Sequence, residues 1–221
     1  MSAPFHYKIL QQNCWLSAAR MLYWEEQQAL VVSDLHFGKT GHFRKEGIPV
    51  PPSVYKEDLQ RLVSQLQFFK PRQLIVVGDM FHSVANKELD WFQKWREDFA
   101  GLEIQLVMGN HDILKRQWYI EAGINIIYQQ LEIYNFSFVH DINATANPQL
   151  PPVANYFFSG HIHPGIRVNG AGKQSLQFPC FYFTPAFCVL PAFGRFTGLA
   201  MVRPAKEDNV FAIVNQSIIQ L

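Results

Sequence analysis

Residues of the types that bind metal ions follow apolar segments at five places along the sequence. These five motifs are Asp34-Leu35-His36, Gly78-Asp79, Gly109-Asn110-His111-Asp112, His140-Asp141 and Gly160-His161-Ile162-His163. They hold five of the eight histidines and four of the eight aspartates, in a chain of which only 17% is charged. Imidazole nitrogens with carboxylate and amide oxygens suit the divalent metals that have hydrolytic roles. The set therefore predicts a dinuclear metal centre.

The spacing inside two of these motifs strengthens that prediction. On an extended chain, side chains two residues apart point the same way. Asp34 with His36, and likewise His161 with His163, would then aim two ligands into one cavity, or one ligand at each of two adjacent metals. Glycine directly precedes three of the candidate ligands, where it would let the backbone turn tightly beside the ions. None of the three cysteines joins the set, which argues against a structural zinc site.

Alternating strands and helices in the first half of the chain would position the first three motifs. Apolar strands are predicted at Ala29–Val32, Leu74–Val77 and Glu103–Val107. Between them lie helices at about Ser53–Phe69 and Asn86–Phe99, whose apolar residues recur every three or four positions. This order implies a mainly parallel sheet, and ligands bind beyond the carboxyl ends of such strands.

Short β-rich segments make up most of the remainder, beginning with an N-terminal β region at Tyr7–Trp24. The others are Leu131–Tyr134, Phe136–His140, Tyr156–Ser159, Gln177–Phe183, Phe187–Leu190, Leu199–Val202 and Phe211–Val214. We predict an α/β fold in which two mixed β-sheets pack face to face, flanked by helices. We expect one domain that spans residues 1–221.

Composition excludes several classes of protein. Hydrophobic residues make up 48% of the chain and aromatic residues 14%, which excludes intrinsic disorder. The formal net charge of +1 excludes a broad basic surface of the histone-like kind. It does not exclude a phosphate-bearing substrate, because bound metal ions would concentrate positive charge in one cleft.

The chain has no feature of an exported or membrane protein. The N-terminus lacks a basic segment followed by an apolar one. No apolar run approaches the ~18 residues that a membrane span needs. Cys14, Cys180 and Cys188 form no CxxC pair, and we expect free thiols in a cytoplasmic protein.

Taken in order, the five motifs resemble those of the calcineurin-like metallophosphoesterases. The family pattern is Asp-x-His, Gly-Asp, Gly-Asn-His-Asp or Glu, His, and Gly-His-x-His, and every element is present. The resemblance runs from about Val31 to about Gly198. It implies a four-layer sandwich with a dinuclear site at one edge, and a hydrolase that acts on phosphoric ester bonds.

The resemblance also implies a role for each motif residue. The first metal would be held by Asp34, His36 and His163, the second by Asn110, His140 and His161, and Asp79 would bridge both. His111 would lie beside the leaving-group oxygen, with Asp112 orienting it. We expect two divalent ions, Mn²⁺ first, with Fe or Zn²⁺ as alternatives that accept the same ligands.

A narrower resemblance concerns small bacterial metallophosphoesterases associated with a DNA ligase. It rests on Asp34-Leu35-His36-Phe37-Gly38-Lys39, on Phe43-Arg44 with Gly47-Ile48-Pro49, and on Gly78-Asp79-Met80-Phe81-His82-Ser83. It implies a nuclease or phosphodiesterase linked to DNA repair, and a functional association with that ligase. Lys39, Arg44 and His82 are candidates for contacting the substrate phosphate. A solvated loop face is the alternative for Lys39 and Arg44, and a loop-stabilising role is the alternative for His82.

Two other functions stay open at this point. One is a phosphoesterase that acts on a small molecule, such as a nucleotide or a pyrophosphate. The other is a non-catalytic scaffold with the same fold, which would be expected to lack ligands, and none is missing here.

Overall fold

Two mixed β-sheets form the framework of the protein. The computed structural model describes residues 2–39, 53–82, 87–145, 156–170 and 174–221, together with residues 41, 43, 47 and 51. Within these residues the sheets have seven and nine strands.

The strands of the first sheet lie in chain order. They are β1 (Phe5–Ile9), β2 (Gln12–Ser17), β3 (Met21–Trp24), β4 (Ala29–Val32), β5 (Gln73–Val77), β6 (Glu103–Val107) and β7 (Ile124–Ile127). Strands β1 to β4 pair antiparallel, and β4 to β7 pair parallel. The carboxyl ends of β4, β5 and β6 therefore meet at one edge of the sheet, as the alternation of strands and helices predicts.

The second sheet brings the last two motifs to the same region. Its strands are β8 (Gln130–Ile133), β9 (Phe136–Val139), β10 (Tyr156–Ser159), β11 (Pro164–Asn169), β12 (Ser175–Phe183), β13 (Phe187–Val189), β14 (Ala200–Met201), β15 (Asn209–Val214) and β16 (Ser217–Gln220). Strands β9 and β10 are parallel neighbours. Because His140 and Gly160 directly follow them, the two motifs leave the sheet side by side.

In the part of the chain that the structure describes, three helices with defined bounds cover the outer face of the first sheet. They are α1 (Ser53–Phe69), α2 (Lys87–Asp98) and α3 (Arg116–Glu121), and a short 3₁₀ helix spans Ile142–Thr145. Leu62 and Leu66 of α1, and Phe92 of α2, are buried against Leu74 and Val76 of β5, so the predicted apolar helix faces are confirmed. No helix in the described part of the chain is long and apolar enough to cross a membrane.

An aromatic core fills the space between the sheets. Ile75 and Val77 alternate along β5 with the residues that face the helices, and they contact this core. On the second sheet, Phe138 and Phe158 stack with their ring centroids 5.4 Å apart, and both are fully buried. The predicted fold class, with two mixed sheets packed face to face and flanking helices, is confirmed.

We expect Phe158→Ala to lower the free energy of unfolding by about 3–5 kcal/mol, because the substitution leaves a cavity in the inter-sheet core. Phe68→Ala is the matched control, since Phe68 is 56% exposed, and its effect should stay below about 1 kcal/mol. Urea unfolding followed by fluorescence measures both values. Equal losses in the two variants would contradict the assignment of Phe158 to the core.

Candidate metal centre

Backbone hydrogen bonds fasten the chain beyond β4 to the chain beyond β5. The Asp34 amide donates to the Gly78 carbonyl at 3.1 Å, and the His36 amide donates to the Asp79 carbonyl at 2.9 Å. The His82 amide donates to the Phe37 carbonyl at 2.9 Å. The first two motifs are therefore held in a fixed register beside each other.

Several candidate ligands adopt a left-handed backbone conformation. Positive φ angles between 51° and 69° occur at Asp34, His36, Asp79, His161 and His163. Our prediction that the paired ligands lie on extended chain is wrong, because the chain curls as soon as it leaves each strand. A non-glycine residue in this region carries a strain of roughly 1–3 kcal/mol, and such strain clusters at functional sites.

The first group of ligand atoms comes from Asp34, His36 and His163, within 4.8 Å of one another. His163 Nε2 lies 3.4 Å from Asp34 Oδ1 and 3.5 Å from His36 Nε2. Burial, together with the nearby charge of Lys39, lowers the pKa of His36 to about 2. The imidazole of His36 is therefore neutral at physiological pH and offers a lone pair, as a metal ligand must.

The second group comes from Asp79, His140 and His161, also within 4.8 Å of one another. His140 Nε2 lies 3.6 Å from Asp79 Oδ2 and 3.1 Å from His161 Nδ1. Asn110 Oδ1 is 3.1 Å from the same His140 nitrogen. The structure thus brings the seven predicted ligands together, with Asp79 grouped with His140 and His161.

Two contacts connect the groups and the loops around them. The His161 amide donates to both carboxylate oxygens of Asp34, at 3.3 and 3.2 Å. The His111 amide donates to Asp79 Oδ1 at 2.9 Å. Four imidazoles, two carboxylates and one amide oxygen converge in this way, a donor set that fits divalent metal ions. The bridging role of Asp79 stays a prediction.

Glycines make room for these side chains. Gly78 has a φ of +80°, and a Cβ atom there would overlap the His140 imidazole. A Cβ atom on Gly109 would overlap Asp79, and one on Gly160 would lie 2.7 Å from Asp34 Oδ2. Only Gly78 of these three has the left-handed φ that a tight turn requires. At the other two positions glycine is needed because a ligand lies against its Cα atom.

Two serines that the sequence analysis missed support the ligands. The Ser33 hydroxyl donates to the Asp34 carboxylate. The Ser159 hydroxyl donates to the His140 carbonyl at 2.9 Å. The Val77 carbonyl lies 3.4 Å from His140 Nδ1, which leaves Nε2 free for a metal. Each serine stands directly before a motif, and that position is the signal that could have identified it.

His111 lies beside the first group of ligands. Its ring centroid is 5.5 Å from that of His36 and 4.3 Å from that of His82. Asp112, by contrast, accepts hydrogen bonds from the Phe81 amide at 3.0 Å and the Gly109 amide at 2.9 Å. Its oxygens thus fasten two loops together, and the predicted contact with the His111 imidazole is not among these bonds. Burial raises the pKa of Asp112 to about 7.

Of the three predicted substrate-binding residues, the structure describes Lys39 and His82 near the ligands. Lys39 is half-buried, and burial lowers its pKa, although Asp34 and Asp79 act in the opposite direction. The Lys39 ammonium group therefore interacts electrostatically with the carboxylates of Asp34 and Asp79. The His82 ring centroid lies 5.3 Å from that of His36. Arg44 falls outside the described residues.

Comparison with known proteins decides the family. A sequence model described as calcineurin-like phosphoesterase matches residues 28–171. The chain belongs to this family. The match includes all seven candidate ligands, and the predicted superfamily is confirmed. Membership supports a hydrolase that acts on phosphoester bonds and uses divalent metals.

One solved structure is similar to this chain along its whole length. A nuclease named MPE from Pseudomonas putida has a TM-score of 0.82 and 26% identity, over 99% of this chain and 100% of that one. A protein of unknown function from Aquifex aeolicus has a TM-score of 0.40 and 18% identity, over 66% and 82%. A predicted phosphoesterase from Streptococcus pneumoniae has a TM-score of 0.33 and 14% identity, over 87% and 86%. A search of curated proteins found no significant match.

We expect Gly78→Ala to weaken divalent metal binding at least about tenfold, because a misplaced ligand or supporting group typically costs 10–100-fold in metal affinity. The new methyl group would displace His140, and the left-handed φ would strain the backbone. Isothermal titration with Mn²⁺ measures the affinity. Gly198→Ala is the control, since nothing lies within 4 Å of the added atom there. Unchanged affinity in Gly78→Ala would contradict the placement of His140.

Proposed function

We propose that this phosphoesterase is a dinuclear metal-dependent phosphodiesterase that cuts DNA. The observation that carries the proposal is the convergence of two linked ligand groups at one edge of the sandwich. A nuclease of 26% identity that matches over the full length of both chains supports a nucleic-acid substrate. The complete ligand set argues against a non-catalytic scaffold.

The two ions have identifiable residues to hold them. Asp34, His36 and His163 would hold one ion, and Asp79, His140, His161 and Asn110 would hold the other, with Asp79 shared between both. When bound, the ions would act as Lewis acids on the phosphoryl oxygens and lower the pKa of the attacking water. We propose Mn²⁺ as the metal, with Fe or Zn²⁺ as alternatives.

Residues beside the ligands would complete the site. His111 lies next to the first ligand group, where it would donate a proton to the leaving oxygen as the phosphodiester bond breaks. Lys39 would bind a non-bridging phosphate oxygen, since its ammonium group is half-buried and interacts with both carboxylates. The His82 ring lies close to that of His111, so His82 would contact the same phosphate.

The biological setting is the part of the proposal that rests on the sequence. The motifs that contain Lys39 and His82 resemble those of the ligase-associated phosphoesterases, so we propose a role in DNA repair and a functional association with a DNA ligase. The three cysteines are free and buried, which supports a reducing, cytoplasmic location.

An activity panel with Mn²⁺ tests the proposal. We expect cleavage of single-stranded DNA, duplex DNA or a generic phosphodiester, and we expect Asp79→Asn to abolish it because the variant loses a carboxylate ligand. Asp90→Asn, at an exposed position on α2, should keep full activity.

Two results of this panel would overturn the proposal. Full activity in Asp79→Asn would contradict the assignment of Asp79 as a metal ligand. Cleavage of a phosphomonoester alone would replace a nuclease by a small-molecule phosphoesterase. An added chelator should abolish the activity, and added Mn²⁺ should restore it.

The role of His111 has a separate test. We expect His111→Ala to lower kcat about 10²–10⁴-fold on DNA, the usual contribution of a general acid. On a nitrophenyl diester the loss should be much smaller, since nitrophenolate leaves without a proton. Metal stoichiometry, measured by atomic absorption, should stay at the wild-type value. An equal loss on both substrates would contradict proton donation by His111.

A further inference from the structure

A cavity lined by three arginines lies close to the metal centre. Its volume is about 390 Å³, and Arg20, Arg61 and Arg195 line it. The volume falls in the range of about 300–1,000 Å³ that is usual for small-molecule sites. No role in the proposed reaction accounts for these three arginines.

One residue separates this cavity from the ligand Asp34. The Gly194 amide donates to the Asp34 carbonyl at 3.0 Å, and Arg20 Nη1 donates to the Gly194 carbonyl at 3.1 Å. Arg20 lies in the turn between β2 and β3. Because Leu22 pairs antiparallel with Val31, that turn lies at the same edge of the first sheet as the metal centre.

The cavity has an excess of positive charge. Among the described residues, its lining contains three guanidinium groups and no carboxylate. Asp58 pairs with Arg61 at 2.9 Å, and Glu57 pairs with Arg195 at 2.6 Å, but both carboxylates lie outside the lining. Burial is the main reason that the pKa of Arg61 falls to about 10; Arg20 and Arg195 act in the same direction, and Asp58 and Glu57 oppose it. An anion bound among the three groups would relieve this repulsion.

Structural roles account for only part of the donor capacity of these arginines. Arg61 donates to the Phe193 carbonyl and packs over the Phe193 ring at 4.1 Å. Its Nε atom is buried, and it has no hydrogen-bond partner in the part of the chain that is described. The Arg195 side chain is 50% exposed and so is available to a ligand from solvent.

The remaining wall offers partners for the rest of a nucleotide. Asn215 and Gln216 line it, and their side-chain amide groups would suit a sugar. Phe68 also lines the cavity, and 56% of its surface is exposed. An exposed aromatic ring beside a cationic pocket is a platform on which a base can stack.

We propose that this cavity binds a nucleotide, with the arginines on its phosphate and Phe68 against its base. The nucleotide is either free or part of a DNA strand that also reaches the metal centre. Only the alternative in which the nucleotide is part of a DNA strand rests on the proposed function. The chemistry that the cavity recognises, a phosphate next to a base, is the same in both.

Isothermal titration in the presence of EDTA tests this proposal without any contribution from metals. The probes are AMP, adenosine and a short single-stranded oligonucleotide. We expect wild type to bind a phosphate-bearing probe, and Arg195→Gln to weaken that binding at least about tenfold, since a charged hydrogen bond is lost. Phe68→Ala should weaken it as well. Arg203→Gln, at an exposed site outside the lining, is the matched control and should bind as wild type does.

Each outcome either tests the proposal or shows whether the bound nucleotide is free or part of a DNA strand. AMP binding that depends on Arg195 assigns the cavity to a free nucleotide, and oligonucleotide binding alone assigns it to a DNA strand. Binding of adenosine as tightly as AMP, equal binding by Arg195→Gln and wild type, or no binding of any probe overturns the proposal. Arg195 and Phe68 are both largely exposed, so the variants should keep the wild-type unfolding midpoint. A protein that binds AMP in EDTA but cleaves nothing with Mn²⁺ would refute the proposed function alone.

Discussion

The hydrogen bonds between the chain beyond β4 and the chain beyond β5 are the constraint on which the site depends. They fix Asp34 and His36 relative to Asp79 before any metal is present. The second sheet adds His140 and His161 from the ends of parallel neighbours, and the aromatic core between the sheets sets how closely they approach. Backbone pairing thus positions ligands within each sheet, and side-chain packing positions the sheets. A weakness in either would separate the two ligand groups.

The residue types and their order were enough to predict which side chains converge. Imidazole, carboxylate and amide groups suit the divalent metals that have hydrolytic roles, so the five motifs could be recognised without a structure. The helices were predictable because the apolar faces that contain Leu62 and Phe92 repeat over several turns. Each of these features is local in the chain, or depends on one chemical requirement.

Other features could not be predicted because they depend on distant contacts or on short segments. Helix α3 has six residues, too few for an apolar face to repeat. Strand β11 begins with Pro164 and Gly165, which are typical of a turn, yet it pairs with β12 from Gly165 to Asn169. The partners of Asp112 are amides of two different loops, and only the folded chain brings them together. The left-handed angles at Asp34 and His163 likewise arise from tertiary hydrogen bonding and packing.

Those left-handed angles restrict which amino acids the ligand positions accept. Among residues with a side chain, aspartate, asparagine and histidine are enriched several-fold at positive φ, and all three are also metal ligands. At Asp34 or His36 the backbone geometry and the coordination chemistry therefore select from the same short set. Glutamate and cysteine could ligate an ion there but would not share this backbone tolerance. Substitution by another type of ligand would require the loop to adopt a different backbone conformation. Evolutionary change at these positions is therefore confined to substitutions among aspartate, asparagine and histidine.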